Sequence, residues 1–128
     1  MTRILPLLLA VLAIAAPATA QTNVTNPTRA EFTASLDHAA ITSYEIAWFS
    51  GAAQVGAVVD LGKPTPDANQ LCTATIQVMP LTFATYTAKV RAKVVTGLVG
   101  APIYSEWSAA SNAFDRAPGN SGTPIIKK

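Results

Sequence analysis

The sequence predicts an all-β chain, an antiparallel β-sandwich of six or seven short strands. Three observations carry that expectation. Apolar and polar residues alternate with period two over short runs, turn residues break those runs at intervals, and no helical period is sustained between them. One face of each sheet is then buried and the other left to solvent.

The first run places Phe32, Ala34 and Leu36 on one face and Glu31, Thr33 and Ser35 on the other, before a connection that begins at Asp37 and His38. The second, SYEIAWF, sets Tyr44, Ile46 and Trp48 against Glu45 and Ala47, and breaks at Ser50 and Gly51. Val55 to Leu61 is the third strand. Gly62-Lys63-Pro64 and Pro66-Asp67 end it, because proline removes ladder donors and glycine frees the backbone.

A fourth run, Cys72 to Val78, closes at Pro80. The clearest strand is TYTAKVRAKVV, where Tyr86, Ala88, Val90, Ala92 and Val94 alternate with Thr87, Lys89, Arg91 and Lys93, so one face is apolar and the other basic. Gly97, Gly100 and Pro102 mark the next loop. The last strand is expected from about Trp107 to Phe114.

The ends read differently. Residues 1–20, with Arg3, the apolar stretch Ile4 to Ala16 and the small-residue site Ala18-Thr19-Ala20, have the form of a secretory signal peptide. The stretch is shorter than a bilayer span, so no membrane span is expected once it is removed. Residues 21–116 form one small domain and residues 117–128, rich in Pro, Gly, Ser and Asn, a flexible C-terminal tail. The chain is expected to be secreted, extracellular or periplasmic.

The formal net charge of +2 falls to about +1 when Arg3 leaves with the leader, far below the footprint of a nucleic-acid binder. Cys72 is the single cysteine and has no partner within the chain. Its place in an alternating run predicts a buried thiol. Asn23-Val24-Thr25 fits the glycosylation sequon and is read as a chance match, and Lys127 and Lys128 as solvated charges.

Three segments, SYEI at Ser43 to Ile46, YTAKVRA at Tyr86 to Ala92 and SEWSAASNAF at Ser105 to Phe114, together resemble a fibronectin type III domain of the immunoglobulin-like superfold, covering roughly Thr28 to Arg116. The resemblance implies that Tyr86 forms a corner, its hydroxyl bonding backbone just upstream. It also implies a short or missing first strand, since the stretch between Pro27 and Tyr44 is too short for two full strands. The family's usual tryptophan on the second strand is absent, which leaves Phe32 or Leu36 to fill its space. Losing the first strand opens the edge of the second to a strand from a partner or tail.

The same resemblance, to the tryptophan-serine motifs of receptor-type domains, implies that Trp107 stacks with a cation of the neighbouring strand, Arg91 foremost. Trp107 is therefore read as structural, with no second aromatic aligned beside it. Glu45 is expected to pair with Arg91 or Lys89. Tyr86, Arg91, Trp107 and Trp48 are the structural candidates. Lys89, Arg91, Lys93, Glu45, Leu98 and Tyr104 make up the expected partner surface, the last two in the loop Thr96 to Tyr104.

His38 beside Asp37 invites a catalytic reading, but no second histidine and no nucleophile motif joins them, and a solvated loop histidine is expected. No enzyme activity, cofactor or metal is expected. The leading function is a secreted, non-catalytic binding or cell adhesion module with a protein or carbohydrate partner, and no Arg-Gly-Asp tripeptide directs it to integrins. The alternative is a self-associating structural subunit of an extracellular assembly, joined through an open strand edge; a secreted hydrolase is the weakest of the three readings.

Overall fold

The computed structural model describes residues 23–78, 80–97, 100–119 and 121–128, so the expected leader, Leu98 and Met79 lie outside the described residues. The chain is all-β. Its strands are β1 (Val24–Thr25), β2 (Arg29–Thr33), β3 (Ser43–Ser50), β4 (Ala53–Gly62), β5 (Leu71–Thr75), β6 (Ala84–Val94), β7 (Ile103–Tyr104) and β8 (Phe114–Arg116), with one 3-10 turn at His38–Ala40.

Two sheets result. The larger runs β1-β8-β6-β3-β4, with β7 also on β6, and the smaller is the antiparallel pair β2-β5. Period two explains the pairing of β3 with β6: both are long, both alternate, and their register sets Ile46 beside Val90 and Trp48 beside Ala88 on one face, Glu45 beside Arg91 on the other.

The apolar faces of the two sheets enclose the core. One cluster joins Ile46, Trp48, Ile76, Val78, Leu81, Tyr86 and Phe114; the other joins Ala34, Ile41, Tyr44 and Cys72, with Phe32 packed against it. Trp48 meets Phe114 edge-on at 5.6 Å, and Phe32 lies 4.8 Å from Tyr44. Cys72 is fully buried and free, its Sγ donating to the Pro64 carbonyl at 3.5 Å.

The β3-β4 hairpin turns at Gly51, whose φ is +60°, and bulges at Gly56, where φ is +71°. Ile46 pairs with Val59 but Trp48 with Val55, so β4 carries extra residues between these two rungs. A left-handed residue absorbs them, and glycine takes that conformation without a Cβ penalty.

Three expectations are corrected. Leu36 does not join Phe32 and Ala34 on the inner face: β2 ends at Thr33, the chain enters the turn before His38, and Leu36 stands wholly exposed. Of the two candidates for the missing tryptophan's space, it is Phe32 that packs against the core. β5 ends at Thr75, though Ile76 and Val78 beyond it remain buried. The stretch from Trp107 to Asn112 is not a regular strand, because it bonds to β6 only at every third residue, Ser108 and Ser111.

Only the two-residue β1 precedes β2 among the described residues, and β1 runs parallel to β8 without pairing β2. Asn26, in the left-handed conformation at φ 46°, makes the turn between them. Its side chain fixes the turn, since Nδ2 donates to the Ala117 carbonyl at 2.9 Å and Oδ1 accepts from the Ala117 N–H at 3.0 Å.

Candidate functional site

Three serines spaced by three, Ser105, Ser108 and Ser111, edge β6. Each donates its own N–H to a carbonyl of β6, those of Ala92, Val90 and Ala88 in turn, all at 2.9 Å. Each also accepts, through Oγ, the N–H of the same β6 residue at 2.8, 3.0 and 2.9 Å. The hydroxyl proton goes to the next carbonyl along, of Glu106, Ala109 and Asn112.

This ladder satisfies the β6 edge with period three on one side and period two on the other. Three of its residues cover the span of two strand residues, roughly 6.6 Å, so it is coiled where a strand would be extended. A serine suits every rung because one hydroxyl both accepts and donates.

The residues preceding the serines repeat with the same period. Tyr104 and Trp107 therefore fall on one side, over the outer face of β6. The Arg91 guanidinium lies 3.8 Å from the Tyr104 ring centroid and 4.4 Å from that of Trp107. Trp107 in turn meets Phe49 edge-on at 6.0 Å, and Lys89 lies over Phe49 at 4.6 Å.

Glu45 anchors the stack from beneath. Its Oε1 accepts from Arg91 Nη2 at 2.9 Å and from Nε at 3.0 Å, and Lys93 Nζ is 3.8 Å from Oε2. Covered by these long side chains, the outer-face residues Ser43, Glu45, Ala47 and Phe49 are all buried.

The expected stack of Trp107 on Arg91 is present in this geometry, but two expectations about its surroundings change. Tyr104 and Phe49 both join Trp107, so other aromatics are aligned with it. Glu45 pairs with Arg91 and Lys93 rather than Lys89, and at 8% exposure it cannot serve a partner surface. Arg91, with a fifth of its side chain exposed, is likewise mostly covered. Of the expected surface, Tyr104 is exposed and Lys89 and Lys93 are partly so, while Trp48 is a core residue.

Sequence reasoning placed Trp107 but missed the serine ladder. The signal was legible as a triplet, YSE-WSA-ASN, each with serine in the middle. A three-residue repeat matches neither the strand period of two nor the helical period of 3.6.

Tyr86 donates its hydroxyl to the Thr82 carbonyl, four residues upstream, at 2.9 Å. His38 is not a solvated loop residue: Nδ1 lies 2.8 Å from the Tyr44 hydroxyl, which also accepts the Ser35 N–H at 2.9 Å. The arrangement that uses the hydroxyl's one proton has Tyr44 donating to His38. Burial raises the Tyr44 pKa above its ordinary value, against the lowering effect of the Ser35 bond. Among the described residues no group of three His, Cys, Asp or Glu could hold a metal ion.

A second feature lies on the other side of the serine ladder. Ile76 N–H bonds Thr28 C=O and Ala34 N–H bonds Gln70 C=O, which sets the phase of the β2-β5 pair. Even-numbered residues of β2 face β5, so the N–H and C=O of Arg29, Glu31 and Thr33 point to the open side. A cleft of about 490 Å³ runs along that side, between β2 and the ladder, floored by Ile46, Trp48, Ile76 and Phe114. A second hollow of about 360 Å³ continues it past Thr33 to Ser105 and Glu106.

No helix among the described residues is long and apolar enough to cross a membrane. No family model matches the chain, and no curated protein and no solved structure matches it either.

Proposed function

We propose that the chain is a secreted, non-catalytic module of fibronectin type III type that binds a protein partner. The tip of the β6-β7 hairpin carries this reading, for it presents Val95, Ile103 and Tyr104 at 45%, 63% and 42% exposure on a base made rigid by the Arg91 stack. Apolar side chains held out on a fixed scaffold suit a protein interface. A carbohydrate is less well served, since sugars stack on free aromatic faces and Arg91 already lies over both Tyr104 and Trp107. The fibronectin assignment draws support from the Tyr86 bond to Thr82 and from the tryptophan-serine ladder.

A protein and glycan array probed with the exported chain tests this. Ile103→Ser touches neither the stack nor the core, so it is expected to abolish capture of a protein ligand while the melting temperature holds. Undiminished capture by that variant, or ligands that are only glycans, would count against the reading.

A second reading, a structural subunit joined through an open strand edge, is favoured by the unpaired edge of β2 and the apolar cleft beside it.

A further inference from the structure

We infer that the cleft beside β2 is the seat of a strand donated by a second copy, and that the strand is Thr123–Lys128 of its tail. This rests on the assembly reading.

The slot admits a lone strand. The serine ladder and β1 extend the larger sheet beneath the open edge of β2, as the cleft lining from both sheets requires. A second domain offering its own sheet edge would bring a second layer into collision with that ladder. An extended segment has no such layer; it pairs with the outward N–H and C=O groups of Arg29, Glu31 and Thr33 and turns alternate side chains inward.

The chain carries an apolar segment with nowhere to go. Ile125 and Ile126 are 80% and 91% exposed, on a tail with no regular secondary structure, and thus stand away from their own cleft. Export with cleavage after Ala20 would leave only Gln21, Thr22 and Asn23 ahead of β1, too few to line β2 from Arg29 to Thr33.

Charge then fixes direction. Laid parallel to β2, the tail sets Ile126 inward against Ile46, Trp48 and Phe114, and Lys127 outward beside Glu31. Lys128 reaches toward Glu106, at the upper end of the cleft. Laid antiparallel, the lysines would meet Arg29 at the lower end. Neither Glu31 nor Glu106 has an ion-pair partner among the described residues. Pro124 falls at the strand's start, where a missing N–H costs least. The contact runs from the tail of one copy into the cleft of the next, so it builds chains or rings, or closes a dimer where two copies exchange tails.

Light scattering on the exported full-length chain across concentration tests this, with folding checked by circular dichroism. Wild type should form dimers or larger oligomers whose share rises with concentration, and Ile126→Asp should be monomeric with unchanged melting. Glu31→Lys and Lys127→Glu should each weaken assembly up to about tenfold, as expected of one cross-strand charge pair reversed. Their double variant should restore it. A synthetic Gly-Thr-Pro-Ile-Ile-Lys-Lys peptide should bind the Ile126→Asp chain, and bind it up to about tenfold more weakly once Glu31→Lys is added. Oligomers that persist in Ile126→Asp would overturn the tail proposal but leave assembly by another surface standing. A wild type monomeric at every concentration would overturn both. A monomer that Ile126→Asp destabilises would mean that the tail closes on its own cleft, which also overturns donation between copies.

Discussion

Ser108 and Val90 close a ring of two hydrogen bonds: the serine N–H donates to the valine carbonyl at 2.9 Å, and the valine N–H donates to the serine Oγ at 3.0 Å. Ser108→Ala keeps the first bond and deletes the second. The expected loss is about 1 kcal/mol, because the freed N–H lies near solvent and is partly rehydrated. Amide hydrogen exchange gives the sharper readout. Exchange at Val90 should accelerate while that at Ala88 and Ala92 stays slow, and an unchanged Val90 rate would refute the role assigned to the hydroxyl.

Arg91 has two attachments, and substitution separates them. Trp107→Leu removes one face of the stack and should cost about 0.5 to 1 kcal/mol beyond its lost packing, measured as coupling to Arg91→Lys in a double-mutant cycle. Arg91→Met does more damage, about 3 kcal/mol, because it leaves the buried Glu45 with only Lys93 at 3.8 Å. Adding Glu45→Leu removes the stranded charge. The double variant should therefore be more stable than Arg91→Met alone in urea titrations; equal or lower stability would mean that Glu45 was never a burden.

The strands that form the sheets were legible because period two is strong in β3 and β6, where Tyr44, Ile46 and Trp48 and then Tyr86, Ala88 and Val90 point inward without interruption. Leu36 misled for a physical reason. Alternation continues through Ser35 in the sequence, but Asp37 and His38 have already turned the backbone, and a side chain's face is defined only while the strand lasts. The stack was half visible, since Arg91 and Trp107 could be paired by strand order, whereas Phe49 was placed beside Trp107 only by the β3-β6 register. The cleft could be anticipated as a missing strand. Its floor of Ile46, Trp48 and Phe114 could not, because core residues look alike in sequence whether or not a strand covers them.

Gly56 sits at φ +71° in the bulge of β4, and a Cβ there would stand 3.8 Å from Leu81 and 4.0 Å from Trp48, ordinary contact distances. Space is therefore no obstacle to Gly56→Ala; the backbone is. The left-handed conformation costs an L-residue roughly 1 to 2 kcal/mol, which should appear as a lower urea midpoint. Gly56→Asn, whose side chain tolerates that conformation better, should lose less. Equal losses for the two would point to packing against Trp48 instead.

Cys72 and Tyr44 give stability a dependence on alkaline pH. Burial, and then the charge of Asp67, raise the Cys72 thiol above its ordinary value, and burial raises Tyr44 as well. In both cases the folded chain holds a proton that the unfolded chain gives up first. Stability is thus full below the ordinary thiol value of about 8.5, falls as pH rises past it, and falls further past about 10 as tyrosine joins. The melting temperature should be flat from neutral pH to about 8 and then decline. Cys72→Ala should start lower, for the lost buried sulfur, yet begin its decline only in the tyrosine range. The gap between the two proteins must then narrow with rising pH, and a gap that stays constant through that interval would show that the thiol does not titrate against folding. A thiol reagent supplies the independent check, because a fully buried Sγ should react at neutral pH only when urea unfolds the chain.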